Sequence, residues 1–110
     1  MTCHIEVKDA TGGTVVAVAG DADLNSADLL RESLDNAAAT GGRVAVDLDG
    51  ATLLDSRMIG VLANAAERLG AEGRELPIVC SDPNVLRLFT TIGLETTFDF
   101  FPSVEAAFAG

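Results

Sequence analysis

Short runs of alternating or continuous apolar residues recur along the chain and predict strands. The first two runs are separated by the turn residues ATGG, which predict a hairpin. In the third run, Val44, Val46 and Leu48 alternate with polar positions, as in a strand with one buried face. The predicted strands are HIEVKD, TVVAVAG, RVAVDLDG (43–50), ELPIVC and a short TTFDFF.

Between the later strands, apolar residues recur at three- and four-residue spacing and predict helices. In SADLLRESLDNAAA, Leu30 and Leu34 share a face with Ala37 or Ala38, and Asn25 or Ser26 is placed to cap the first turn. SDPNVLRLFTTIG carries its own boundaries, because Asp82 can cap, Pro83 suits the first turn and Gly93 suits the end. PSVEAAFAG predicts a terminal helix.

The second predicted helix, MIGVLANAAERLGAEG, is amphipathic and ends at Gly70 or Gly73. Placed at steps of about 100°, its residues divide into an inner stripe, an outer face and a border. The inner stripe is Ile59, Leu62, Ala63, Ala66 and Leu69; the outer face is Arg57, Val61, Asn64 and Arg68; the border is Met58 and Ala65.

The predicted order ββαβαβαβα indicates an α/β fold. Strands that alternate with helices favour a largely parallel sheet with right-handed crossovers, here carrying an antiparallel first hairpin. We therefore expect one domain over residues 1–110, with a mixed, mostly parallel sheet of four to five strands and four helices.

Charge narrows the class of partner. Seventeen acidic against seven basic residues give a formal net charge of −10, and such a surface repels nucleic acid and anionic lipid. A protein partner with a basic face fits better. No apolar run reaches the roughly 20 residues of a membrane span, and the N-terminal segment lacks the pattern of a secretory leader. We therefore expect a cytoplasmic protein that contacts neither nucleic acid nor membrane.

The residues that usually carry chemistry are sparse. Cys3 and Cys80 form no CxxC motif and predict two reduced, buried thiols, with a disulfide between them as the alternative. The segment GDADLNS lacks the second glycine and the GK[ST] of a phosphate loop. His4 would point away from Cys3 on a strand, and a single histidine gives little support for zinc. The chain has no lysine after Lys8, which argues against a phosphorelay receiver. We expect no enzyme activity, cofactor or metal.

The most distinctive stretch is LLDSRMIG, residues 53–60, at the start of the second helix. A serine before an apolar helical run is commonly an N-cap, so Ser56 is interpreted first as a cap. A functional role for Ser56 has to come from a wider pattern.

Three segments in order supply that pattern, and together they resemble the STAS family, most closely its small anti-sigma-factor antagonists. VAGDADLNSADLL resembles the family's passage from a strand to the first helix. VDLDGATLLDSRMIGVL resembles its signature, in which Asp-Ser-Ser-Gly-Leu-Gly opens the second helix. DPNVLRLFTTIGLETTFDFFPSVEAAF resembles its C-terminal third. The resemblance covers nearly the whole chain.

The resemblance implies a phosphorylation switch. In this family an anti-sigma factor that is also a serine kinase phosphorylates the first serine of the signature, here Ser56, and the modified antagonist releases it. The implied partners are that kinase, a serine phosphatase and, indirectly, a sigma factor; a homodimer is also possible. The implied contact residues lie at the start of the second helix and in the GDADLNS loop: Asp23, Asn25, Asp55, Ser56, Arg57, Met58 and Val61.

The second half of the signature departs from the family. Arg57 replaces the second serine and Met58 replaces the glycine, where a flexible apolar side chain could hinder a kinase. Arg57 could pair with a phosphate on Ser56, with an acidic partner or with Asp55. Two alternatives therefore stay open: a STAS module that is never phosphorylated and acts as a constitutive antagonist or scaffold, and a small-ligand sensor.

Overall fold

The computed structural model describes residues 3–109. Over this range the chain forms five strands and four helices in the predicted order. The strands are β1 (Cys3–Ala10), β2 (Gly13–Asp21), β3 (Val44–Leu53), β4 (Ile78–Val79) and β5 (Phe100–Phe101). The helices are α1 (Ser26–Ala38), α2 (Ser56–Ala71), α3 (Pro83–Thr91) and α4 (Val104–Ala107).

The five strands form one sheet in the order β1-β2-β3-β4-β5. β1 pairs antiparallel with β2 through the predicted hairpin, and every other neighbouring pair is parallel. Helices α1, α2 and α3 each connect one parallel strand to the next. The predicted fold class, a mixed and mostly parallel α/β sheet, is confirmed.

Two apolar clusters lie on the two faces of the sheet because neighbouring residues of a strand point to opposite sides. Val16, Val46 and Ile78 pack in the larger cluster together with residues of α1, α2 and α3. Their neighbours Val15, Ala45 and Val79 pack with Ala107 and Phe108 at the C-terminal helix. Both faces of the central strands are therefore buried, but the second face is covered by a helix of only four residues.

Three strands differ from those predicted by more than one residue, and one of them, β5, comprises only the last two residues of the predicted TTFDFF. β3 continues to Leu53 because β2 follows it through two register shifts and still pairs Asp21 with Leu53. β4 comprises only Ile78 and Val79 of the predicted ELPIVC, since the ladders to β3 and β5 involve just these two residues. Pro77, directly before them, has no N–H to donate.

The predicted inner face of α2 is partly wrong. Met58, expected on the border, is fully buried, and Val61, expected outside, is only 8% exposed. Ala65 is also buried, whereas Ala63 and Ala66 are only partly buried. The reason is that α2 packs against α1 as well as against the sheet, so its buried surface is wider than a single stripe.

The C-terminal third follows its sequence signals. Asp82 caps α3 by accepting a hydrogen bond from the backbone N–H of Asn84 at 2.8 Å, and Pro83 opens the helix. Gly93, beyond its end, has φ +80°. Ser103 caps α4 by accepting from the N–H of Ala106 at 3.1 Å.

Arg43 fastens α4 to the sheet. Its guanidinium donates to the carbonyl oxygens of Phe108 at 2.8 Å and Ala107 at 3.3 Å, and it lies 5.3 Å from the centre of the Phe108 ring. Gly13 leaves room for this contact, because a Cβ there would stand 2.9 Å from the Phe108 ring and 2.5 Å from the Arg43 carbonyl oxygen.

Both cysteines are buried free thiols, as predicted. The alternative of a disulfide between them does not fit the sheet. Cys3 lies on β1 and Cys80 directly after β4, three strand spacings away, or about 14 Å. A disulfide needs Cα atoms within about 7 Å. Burial is also the main cause that raises the pKa of the Cys80 thiol.

Among the described residues, no helix combines the length and apolar character that a membrane crossing requires.

Candidate functional site

Two loops meet at one edge of the sheet and form the candidate site. β2 and β3 are parallel neighbours, so the β2–α1 loop and the β3–α2 loop leave the sheet at the same end. The backbone N–H of Ala22 donates to the carbonyl oxygen of Leu53 at 2.8 Å, which ties the two loops together. Thr52 also donates a side-chain hydrogen bond to Asp21. The predicted pairing of the GDADLNS loop with the start of α2 follows from this topology.

Asp55, and not Ser56, is the N-cap of α2. Asp55 has an extended backbone, and its carboxylate accepts a hydrogen bond from the N–H of Met58 at 3.0 Å. This hydrogen bond is the main cause that holds the pKa of Asp55 below its ordinary value, and the hydrogen bond and charge of Arg57 lower the pKa further. The interpretation of Ser56 as a cap is wrong, because Ser56 is already the first residue of the helix.

The hydroxyl group of Ser56 therefore has no role in capping α2. Its side chain is exposed at the first turn of α2, and no hydrogen bond within residues 3–109 uses its hydroxyl group. A serine in that position is open to chemical modification from solvent. Ser56 lies at the N-terminus of α2, where the helix dipole favours negative charge.

Arg57 stands beside Ser56 on the surface. Its guanidinium donates to the Asp55 carboxylate at 3.1 Å, and its side chain remains 53% exposed. An ion pair this exposed contributes only about 0–1 kcal/mol, so Arg57 can exchange Asp55 for another anion at little cost. Of the three pairings open to Arg57 in the sequence, the structure contains the one with Asp55.

Asp23 organises the second loop. Its carboxylate accepts from the N–H of Asn25 at 2.9 Å and from the hydroxyl of Ser26 at 3.2 Å, while its own N–H donates to the Ser26 oxygen at 2.8 Å. The Asn25 hydrogen bond is the main cause that lowers the pKa of Asp23. The prediction that Asn25 or Ser26 caps α1 through its side chain is wrong. Asn25 occupies the N-cap position, but its side chain forms no capping hydrogen bond.

Met58 and Val61 were predicted as partner contacts, but neither presents a contact surface. The Met58 side chain points into the core among the residues of the larger cluster, and its exposure is 0%. A side chain without exposed surface cannot form a partner contact or hinder a kinase. Val61 lies on the side of α2 that faces α1 and contributes only a sliver of surface.

Several exposed residues near the site were not predicted from sequence. Leu24 in the β2–α1 loop is 81% exposed, and Leu53 at the end of β3 is 57% exposed. The carboxylate of Asp49 accepts from the N–H and hydroxyl of Ser81, which adds a third loop to the same edge. A lone apolar residue in a polar loop could have indicated Leu24 as a contact, but only the fold brings these loops together.

A groove between α1 and α2 opens beside Arg57. Its volume is about 410 Å³, and its lining includes Leu24, Arg31, Gly60 and Arg68 besides Arg57. The sequence did not indicate this groove, because its two walls are separated by a whole strand. No cluster of three or more metal-ligating side chains occurs in the stretch from residue 3 to residue 109.

The family model of the STAS domain matches residues 4–107. The chain belongs to the STAS domain family. This STAS domain is 28% identical over 105 residues to the anti-sigma-B factor antagonist of Bacillus subtilis, and the match covers 96% of both chains. The resemblance recognised from the three sequence segments is confirmed.

Two solved structures place the STAS domain among similar folds. It superposes on an anti-sigma factor antagonist from Mycobacterium paratuberculosis with a TM-score of 0.86 and 28% identity, covering 98% of this chain and 92% of that chain. It also resembles the anti-sigma factor antagonist SpoIIAA in its unphosphorylated form, with a TM-score of 0.75 and 18% identity, over 94% and 93% of the two chains. At that identity the second likeness concerns the fold alone.

Proposed function

We propose that this STAS domain is a cytoplasmic antagonist of an anti-sigma factor, acts by reversible binding rather than catalysis, and is switched by phosphorylation of Ser56. The proposal rests on one observation at the start of α2, namely that Asp55 and not Ser56 caps the helix. Asp55 performs the capping, so the hydroxyl of Ser56 is exposed and available. The names of the relatives supply the partner class.

The partner would contact the edge where the loops meet. The proposed contact residues are Asp23, Asn25, Asp55, Ser56 and Arg57. Met58 and Val61 are withdrawn because both side chains are buried. The exposed side chains of Leu24 and Leu53 flank these polar residues and can supply the apolar area that stable association needs.

A phosphate on Ser56 would alter binding more than folding. It adds about −1.5 to −2 charges at pH 7, and a partner would have to desolvate them. The N-terminus of α2 favours negative charge by about 0.3–1 kcal/mol, which offsets repulsion from Asp55 within the domain. Arg57, next to the site, can exchange Asp55 for the phosphate. The fold should therefore survive phosphorylation while the complex weakens.

The direct test is phosphorylation by the anti-sigma factor kinase encoded by the same genome. Incubation with that kinase and ATP should place one phosphate on Ser56, mapped by peptide mass spectrometry. Ser56→Ala should remain unmodified and keep its affinity, measured by calorimetry. Ser56→Glu should bind at least about tenfold more weakly, a loss of roughly 1.4 kcal/mol. A serine phosphatase should restore binding of the phosphorylated protein.

A constitutive antagonist is the second candidate, and Arg57 favours it. Arg57 occupies the position of the second serine of the signature and forms an ion pair across Ser56 with Asp55. This candidate predicts tight binding with no phosphate on Ser56. The variant Arg57→Ser separates the two candidates: a gain of phosphorylation in the variant alone would assign the loss of switching to Arg57.

A further inference from the structure

The groove between α1 and α2 concentrates positive charge on an acidic protein. Three of the seven lysine and arginine residues of the chain, Arg31, Arg57 and Arg68, line it. All three side chains are more than half exposed, at 56%, 53% and 55%. The net charge of the chain is −10, so this groove stands out electrostatically from the rest of the surface.

The three arginines are spread along the groove instead of converging on one point. Arg57 and Arg68 are separated by eleven positions on α2, which is about three turns and about 16 Å along the helix axis. The two guanidinium groups also pair with different carboxylates, Arg57 with Asp55 and Arg68 with Asp35, and do not converge on one anion site. A chain segment that carries several carboxylates along its length can pair with both.

Apolar surface and open space accompany the charges in this groove. Leu24 lines the groove and is 81% exposed. Gly60 lies in the wall between Arg57 and Arg68, and a Cβ added there would meet nothing within 4 Å. The groove therefore has room for side chains of a bound segment and an apolar residue to pack against them.

We propose that this groove binds an acidic, amphipathic segment of a protein partner, lengthwise along α2. The inference rests on the proposed function, because it assigns the segment to the anti-sigma factor that contacts the neighbouring loops. Carboxylates of the segment pair with the three arginines, and an apolar residue contacts Leu24. The acidic loop edge then faces a basic part of the same partner, so alternating charge sets the register of the complex.

The arginines are already paired, but the pairs are replaceable. Arg31 contacts Asp28 at 3.0 Å, Arg57 contacts Asp55 at 3.1 Å and Arg68 contacts Asp35 at 3.1 Å. All are surface pairs, whose contribution to stability is small. Asp28 also lines the groove and competes there with an incoming carboxylate.

Neutralising single arginines tests the groove against the anti-sigma factor. Arg31→Gln and Arg68→Gln should each weaken binding about three- to tenfold by calorimetry, as expected for the loss of one charge-assisted contact. Arg87→Gln, on the exposed surface of α3, removes the same charge outside the groove and should bind like the wild type. Asp28→Asn should bind about two- to fivefold more tightly, because it removes the competing carboxylate. An unchanged thermal midpoint controls for folding.

A second measurement keeps the inference testable without the anti-sigma factor. The probe is a short synthetic helical peptide with glutamates along one face and an apolar residue, and its twin carries glutamine in place of glutamate. The acidic peptide should shift the amide resonances of Arg31, Gly60 and Arg68, and the twin should not. Gly60→Gln should abolish the shifts by filling the groove, whereas Gly70→Gln, equally unobstructed on the same helix but outside the groove, should keep them.

The outcomes separate this inference from the proposed function. The anti-sigma factor could bind the wild type and the variants Arg31→Gln, Arg68→Gln and Asp28→Asn with equal affinity. That result would overturn the proposed binding groove but would leave the antagonist function standing. Equal shifts from inorganic phosphate and from the acidic peptide would show simple anion binding and overturn the proposal of a segment. If the anti-sigma factor does not bind at all but the peptide shifts the groove resonances, the groove stands and the proposed function falls.

Discussion

Adjacent residues at the start of α2 perform separate tasks. Asp55 stabilises the helix by accepting a backbone N–H, Ser56 is exposed, Arg57 pairs on the surface and Met58 fills the core. The sequence indicated that a helix starts here but not which of Asp55 and Ser56 caps it, because aspartate and serine are about equally good caps. Met58 was misplaced for a different reason, because α2 packs against α1 as well as against the sheet and its buried surface is wider than a single stripe.

Removing the cap at Asp55 should destabilise the domain. Asp55→Ala loses the hydrogen bond to the Met58 N–H and should lower the free energy of unfolding by about 1 kcal/mol, within a range of roughly 0.5–2 kcal/mol. Ser56→Ala should change it by less than about 0.5 kcal/mol. Urea denaturation of both variants measures the difference. An equal loss in the two variants would return the capping role to Ser56.

The same carboxylate should make stability depend on pH. The pKa of Asp55 is lowered in the folded state from an ordinary value of 3.8, so its contribution is fully present above that value and is lost as pH falls through the folded pKa. Asp55→Asn can still cap but does not titrate. The advantage of the wild type over Asp55→Asn near neutral pH should therefore shrink in acid below about pH 4. A constant difference across a urea series in pH would contradict this assignment.

Arg57 and Met58, the two residues that depart from the family signature, should contribute very differently to the free energy of unfolding. Met58→Ala empties a fully buried site and should cost about 2–5 kcal/mol of unfolding free energy. Arg57→Ser changes an exposed side chain and should cost less than about 0.5 kcal/mol. Chemical denaturation of both variants tests the contrast. A small loss for Met58→Ala would mean that its side chain is not a core residue in solution.

Element boundaries were harder to predict than element types. All nine elements within residues 3–109 have the predicted type and order, since hydrophobic periodicity is a local property. The length of β3 and the brevity of β4 depend on which strand lies alongside, and register shifts such as those of β2 carry no periodic signal. Val61 was misplaced for a related reason, because the packing of α1 on α2 is not encoded within α2.

Arg43 attaches α4 to the sheet in addition to the apolar packing of Ala107 and Phe108. Arg43→Lys keeps the charge but loses the planar fork that contacts two carbonyl groups and the Phe108 ring. We expect a loss of about 1–2 kcal/mol and faster hydrogen exchange at the hydrogen-bonded amides of residues 106–108. Arg87→Lys on α3 serves as the control and should change neither. Unchanged exchange in Arg43→Lys would mean that apolar packing alone holds α4.

At the scale of the whole molecule, charge and topology act together. The mostly parallel sheet with its antiparallel first hairpin was predictable, because strands that alternate with helices favour parallel pairing with right-handed crossovers. The spatial order β1-β2-β3-β4-β5 was not predicted. The concentration of three arginines in the groove between α1 and α2 was not predictable, since Arg31 lies on α1 and Arg57 and Arg68 lie on α2, two helices separated by β3. A homodimer stays a prediction that light scattering can test.

The net charge should govern how fast the domain meets its partner. At −10, association with the basic face of an anti-sigma factor should be steered over a distance of about 10 Å at 0.1 M salt. Raising the salt to about 0.5 M should slow association by about tenfold and leave dissociation nearly unchanged, measured by stopped flow. An association rate that does not respond to salt would argue against a partner of opposite charge.

The exposed and structurally unused hydroxyl at residue 56 also has a consequence for evolution. Because capping belongs to Asp55, substitutions at residue 56 are nearly neutral for stability. Under the phosphorylation of Ser56 proposed above, a lineage can therefore discard or regain regulation by a single codon change, without compensating mutations elsewhere. Duplicated copies of such a gene can then diverge into regulated and permanently active forms while both remain folded.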